Sequence, residues 1–218
     1  MIDWYNSRKK TPWCILPPHF QWSIFNSGTK NTFKYYFDGS LEPLPRIDQV
    51  DEDYVPSNVQ NKHWFLGVFH LHEKTLTIYD SLLDWSSIDK ERTEIICHIN
   101  FAFDSWLRMN DDKGWSLSFP FKVVYPDNVP QQCGSLGDCG VWVCIFMERL
   151  INNQPLLHQH EQPKETAMQM RHKLAIKLYD SILEDNFDMA STSKMIVDEA
   201  NISIISGLRY CIQSVCFT

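Results

Sequence analysis

The chain contains no CxxC pair. Its seven cysteines (Cys14, Cys97, Cys133, Cys139, Cys144, Cys211 and Cys216) are odd in number and irregularly spaced. That argues against a paired disulfide framework and for reduced thiols. The opening residues, MIDWYNSRKKTPW, lack the apolar core of a secretion signal. No apolar run approaches the ~20 residues of a membrane span. These absences point to the nucleus or cytoplasm and away from a membrane partner. Basic charge is short as well: 20 Lys and Arg face 27 Asp and Glu, a net charge of −7. A general nucleic-acid binder needs a basic face, so nucleic acid is not an expected partner. There are no internal repeats and no low-complexity tract. What is present is a globular composition of 218 residues, 44% hydrophobic and 13% aromatic. That is enough for one domain with a substantial core.

Residues 1–20 read as an irregular segment packed by Trp4 and Trp13, with Arg8, Lys9 and Lys10 in a solvated turn. FQWSIFNSGTKNTFKYYF, residues 20–37, predicts two short strands around an Asn26-Ser27-Gly28 turn. Residues 38–57 are acidic and Pro-rich, with Asp48, Asp51, Glu52 and Asp53; they predict a loop whose charge serves solubility. KHWFLGVFHLHEKTLTIYDSLL, residues 62–83, is the strongest hairpin signal. Trp64 to Leu71 forms one β-rich run, His72 to Lys74 the turn, and Leu76 to Tyr79 the second run. An antiparallel hairpin sets the start of its first strand beside the end of its second. His63 and Asp80 can therefore be neighbours; the sequence leaves the exact register open, since a turn of two or of four residues fits. Ile88, Ile95, Ile96, Ile99, Phe103, Trp106 and Leu107 predict a helix over 88–110. A strand follows from Phe119 to Tyr125. A second amphipathic helix is expected from Lys164 to Leu183, with Met168, Leu174, Ile176 and Leu178 apolar. Trp85, Trp106 and Trp115 read as core or groove packing.

The chain is organised around PQQCGSLGDCGVWVCIFMERL, Pro130 to Leu150. Gly134, Ser135 and Gly137 make a tight loop. Asp138 is the expected N-cap of a buried helix with a polar end at Glu148 and Arg149. Cys139 then sits in the first helical turn, where unpaired N–H groups and the helix dipole favour the thiolate, the nucleophilic form. Gly140 keeps the space beside the sulfur open to a substrate backbone. Cys144 reads as an ordinary buried cysteine.

A thiol nucleophile needs a base, a group to orient the base, and oxyanion donors. His63 suits the base, neutral but protonatable near pH 7. Asp80 suits the orienting carboxylate. Gln131 or Gln132 could donate an amide N–H to the oxyanion, beside backbone N–H groups near Cys139. Other signals carry less. His70-x-His72 has metal-ligand spacing but no evident third ligand, and His158 and His160 lie in a polar loop, so no metal is expected. A Cys133–Cys139 disulfide would close a strained short loop, and free thiols are expected instead.

HWFLGVF, TIYDSL and VPQQ…GDCGVWVC together resemble the signature blocks of the ubiquitin-like-protein-specific (SUMO-type) cysteine proteases, most of all the divergent branch abundant in plant genomes. VPSN at 55–58 fits the lead-in to the histidine strand. The resemblance implies an α+β papain-like fold, with a central mixed sheet packed against the helix carrying the nucleophile. It implies His63 as base, Asp80 as its orienter, Cys139 as nucleophile and Gln132 as oxyanion donor, with Gln131 the second choice. Trp64, Gln131, Asp138 and Gly140 would contact substrate, Trp64 flanking a slot for a Gly-Gly tail. The implied reaction is cofactor-free cleavage after the C-terminal glycine of a ubiquitin-like modifier, by a monomer. The resemblance divides the chain into a divergent or truncated N-terminal part (1–54), a catalytic core (55–184) and a divergent tail (185–218). Two alternatives accompany it: a degenerate, transposon-derived copy that only binds a modifier, and an acyltransferase on the same fold.

Overall fold

The structure, a computed structural model, describes residues 13–26, 34–41, 44–109, 120–132 and 137–188. The Arg8–Lys10 run, Ser27 and Gly28, Trp115, Phe119, Cys133, Gly134 and Ser135 lie outside these residues, as does the tail beyond Asp188. Five strands form one mixed sheet in sequence order: β1 (Trp13–Ile15), β2 (Glu52–Val59), β3 (His63–His70), β4 (Thr75–Tyr79) and β5 (Lys122–Val124). The central pairs, β2 with β3 and β3 with β4, are antiparallel, and the outer pairs are parallel. The helices are α1 (His19–Asn26), α2 (Lys34–Phe37), α3 (Asp89–Met109), α4 (Cys139–Ile151) and α5 (Pro163–Asp188).

The alternation of β3 explains the layering. Phe65 and Phe69 join one core with Phe20, Phe37, Ile99 and Phe103, under α1, α2 and α3. Leu66 and Val68, one residue out of step, join a second core with Trp142, Phe146, Met170 and Leu174, under α4 and α5. Gly67 falls on the first face. A Cβ there would lie 3.3 Å from a Leu76 methyl and 3.5 Å from one of Ile99, so glycine lets α3 press close to the sheet. α3 buries Ile95, Ile96, Ile99, Phe103 and Trp106, the face its sequence marks.

Several elements depart from the sequence reading. The span expected to open with a strand at Phe20 forms α1 instead. Pro17 and Pro18 precede it and start a helix, and Phe20 buries inward while Trp22 is 67% exposed. A strand would have put Phe20, Trp22 and Ile24 on one side. Tyr36 and Phe37, expected in a second strand, are buried in α2. The acidic span expected to be loop contains β2. Beyond Tyr54 β2 has no β1 neighbour, so Pro56 sits at a free edge where its missing N–H costs little. Nor are its charges simply solvated. Glu52 takes a hydrogen bond from Tyr54 and pairs with His70 at 3.0 Å. Asp53 is buried beside Cys14 and burial pushes its carboxyl up to about 7. α5 turns Ala167, Met170 and Leu174 inward, leaving Met168 and Ile176, expected on the apolar face, exposed. The strand expected over 119–125 is confined to Lys122–Val124.

Candidate active site

His63 opens β3 and Asp80 follows the last residue of β4, as the hairpin requires. Their side chains meet in the interior: His63 Nε2 and Asp80 Oδ1 are 2.7 Å apart, each side chain 1% exposed. Asp80 Oδ1 also accepts from the Leu82 N–H at 2.8 Å. Burial alone would raise the Asp80 carboxyl; the His63 hydrogen bond and charge, the Leu82 N–H and the Arg92 charge hold it below its usual range. With Nε2 on Asp80, Nδ1 is the ring nitrogen that remains. It is buried, makes no hydrogen bond, and is the atom left to exchange a proton with the Cys139 thiol in electrostatic reach of the ring.

Burial pushes the His63 imidazole down, but the Asp80 hydrogen bond and then the Cys139 sulfur outweigh it and raise it to about 9. His63 therefore carries a proton at neutral pH. The sequence reading had it neutral there. The difference comes from the Asp80 carboxylate and the Cys139 sulfur beside a buried ring, where electrostatic attraction is strong. Trp85 adds an edge-to-face contact with the imidazole, at 6.1 Å between ring centroids. It is partly buried against the first core, so its expected packing role extends to the His63 ring.

Cys139 is buried at the first position of α4. Gly140 is buried beside it. Asp138 occupies the N-cap position, where its C=O accepts from the Trp142 N–H at 2.9 Å. Its side chain makes no capping bond, contrary to expectation. The carboxylate turns instead to the Arg171 guanidinium of α5, which also holds the Gly137 carbonyl. Gly137 has φ +94°, a conformation glycine adopts without strain. An Arg–carboxylate pair satisfies Asp138 more fully than one backbone N–H would.

The two glutamines divide. Gln131 turns its amide on the backbone, donating to Asp80 O at 3.0 Å and Val129 O at 3.1 Å and accepting from Leu83 N–H at 3.1 Å. Gln132 is buried, donates its N–H to Ser81 O at 2.8 Å, and accepts from the Ser81 hydroxyl at its Oε1, 3.2 Å away. Anchoring Oε1 fixes which end of the amide is the donor. Trp64 is half-buried against the second core, the face to which α4 packs. The histidine pairs outside the site are engaged elsewhere: His72 meets Asp51 at 3.0 Å, and His158 stacks on His160.

Three residues here escaped the sequence reading, Ser81, Arg92 and Arg171, and Trp85 was expected only to pack. Arg92 had a legible signal. It is a cation in the first turn of a helix, where the dipole disfavours it and a nearby anion is favoured. Among the described residues no helix is long and apolar enough to cross a membrane.

Comparison with known proteins agrees with this geometry. Residues 21–185 match the family described as "Ulp1 protease family, C-terminal catalytic domain". Ubiquitin-like-specific protease 1 of Saccharomyces cerevisiae is 28% identical over 102 residues, 46% of this chain and 14% of the yeast protein. The chain thus matches only about a seventh of that relative's length. Among solved structures, the Ulp1 protease domain in complex with Smt3, the yeast ortholog of SUMO, superposes with a TM-score of 0.57 at 20% identity, covering 77% of this chain and 68% of that one. The SUMO protease Ulp1 with its catalytic cysteine oxidised to a sulfonic acid gives 0.58 at 20% identity, over 77% and 69%. At this identity the superpositions establish the fold: α+β, with a central mixed sheet, as expected.

Proposed function

The chain belongs to the Ulp1 protease family, and from that premise we propose that it is a cysteine-type peptidase or isopeptidase cleaving after the C-terminal glycine of a SUMO-like modifier. One observation carries the reading: a buried His63–Asp80 pair with its second ring nitrogen unbonded, in electrostatic reach of a cysteine at a helix N-terminus. The motif blocks around His63, Asp80 and Cys139 support the finer placement in the divergent plant-type branch.

The reaction follows from the geometry. His63 holds the Cys139 proton, leaving a thiolate stabilised by the imidazolium and the first turn of α4. The sulfur attacks the glycine carbonyl. Gln132, with its amide oxygen tied to Ser81, turns N–H toward the oxyanion, beside backbone N–H groups at the start of α4. The imidazolium gives its proton to the departing amine, and a thioester remains on Cys139. A water, its proton taken by His63, then releases the glycine carboxylate and restores the thiol. Trp64 and Gly140 line the approach of the modifier's tail. Asp138 acts on the start of α4 through its pair with Arg171.

The test is a set of modifiers carrying a thiol-reactive electrophile at the C-terminus, read by intact mass. A SUMO-type probe is expected to add once, on Cys139, with no adduct in Cys139→Ser. Folded protein left unmodified by every probe would refute the reading.

A further inference from the structure

Asp80 is held from two sides. His63 and the Leu82 N–H take Oδ1, while Oδ2 accepts from Arg92 Nη1 at 2.8 Å. Arg92 stands in the first turn of α3, its side chain 7% exposed. A buried guanidinium needs a full set of acceptors, and it has one. Nη1 also reaches Leu82 O at 3.3 Å, Nη2 donates to Leu83 O at 2.8 Å, and Asp89 pairs with Nη2. The same fork thus grips the carboxylate and the turn that follows it.

We propose that Arg92 is a positioning residue of the active site: by gripping the outer oxygen of Asp80 it keeps the inner oxygen turned to His63. The inference rests on the catalytic reading of His63, Asp80 and Cys139. A carboxylate bonded at one oxygen can swing about its last side-chain torsion, and one bonded at both cannot. Without Arg92 the His63 bond loosens, the imidazolium is less stabilised, and so is the thiolate it accompanies. Ion-pairing geometry, and not merely charge, is what Arg92 supplies, because its planar fork meets carboxylate and carbonyls together. The titratable and charged groups facing this cluster are His63, Cys139, Asp89, Arg92, Tyr125 and Cys97. Removing Arg92 leaves Asp89 as added negative charge, whose pull alone would favour the imidazolium. Loss of the charge alone would also disfavour the thiolate, so Arg92→Lys, which keeps the charge and loses the fork, separates positioning from charge.

The experiment is iodoacetamide alkylation across pH, resolved by peptide mapping so that Cys139 is followed apart from the exposed Cys97. In the unaltered protein Cys139 is expected to react in the mildly acidic range where free thiols are silent. In Arg92→Met its rate at about pH 6 should fall roughly tenfold, with the whole profile displaced upward toward that of a free thiol. An Arg92→Met profile that is unmoved or displaced downward, in folded protein, overturns the inference. If Arg92→Met does not fold, Arg92→Lys decides: a smaller upward displacement supports the proposal, and a profile identical to the unaltered protein's overturns it. Failure of the catalytic reading looks different, since Cys139 in the unaltered protein would then show no acid-range reactivity at all.

Discussion

His63 concentrates the chemistry of the molecule in one ring. Its pKa lies above the ordinary imidazole value in the folded protein, at about 9. Its contribution to stability is therefore full below about 6.5 and lost as pH rises through about 9. A His63→Gln variant should lose about 3 kcal/mol at pH 6 by the size of that shift. The deficit should shrink toward zero above pH ~9. Urea midpoints measured against pH for both proteins check this, and a deficit that does not change with pH would refute it. Turnover should fall over the same alkaline range, because the leaving amine loses its acid. His63 and Asp80 were readable in the sequence because the hairpin that joins them is local and strongly signalled. The rest of the cluster was not. Arg92 reaches Asp80 across an irregular turn, and which of the two glutamines meets the Ser81 hydroxyl is decided by the fold.

Among the elements, the start of α4 is clamped from α5. Arg171 holds Asp138 and Gly137 immediately ahead of the nucleophile, and its side chain is 46% exposed. Exposed ion pairs add little to stability, ~0–1 kcal/mol, so Arg171→Met should keep its melting temperature within a few degrees. Its kcat should drop on the order of tenfold, as for other residues that orient a reacting group. Thermal unfolding and initial rates on the same preparation separate the two effects; a normal kcat would show that the loop holds itself. The hairpin and α3 were legible because β-formers or a sustained apolar period fill them. α1 was not: over so few residues, Phe20, Trp22 and Ile24 fit either period, and packing decided. β2 was hidden by Pro56 and three acidic residues, Asp51, Glu52 and Asp53, whose partners lie elsewhere in the sheet or below it.

At the scale of the molecule, one sheet separates two cores, and the site draws on both. Arg92 comes from the α3 layer, Cys139 from the α4 layer, and His63 and Asp80 from the sheet between. Phe103 is central to the first core, stacked on Phe69 at 3.7 Å and in edge contact with Phe20, Phe37 and Phe121. Phe103→Ala should cost about 3–5 kcal/mol, whereas Phe101→Ala, at a position 68% exposed on the same helix, should stay within about 0.5 kcal/mol. Denaturant midpoints test the contrast, and equal losses would contradict the layering. The Arg171 clamp has a consequence for how such a chain is made. Synthesis runs from N- to C-terminus, so His63 and Asp80 leave the ribosome before Cys139, and Cys139 before the helix that carries Arg171. The proposed catalytic cluster is therefore steadied only once α5 has emerged and folded against α4.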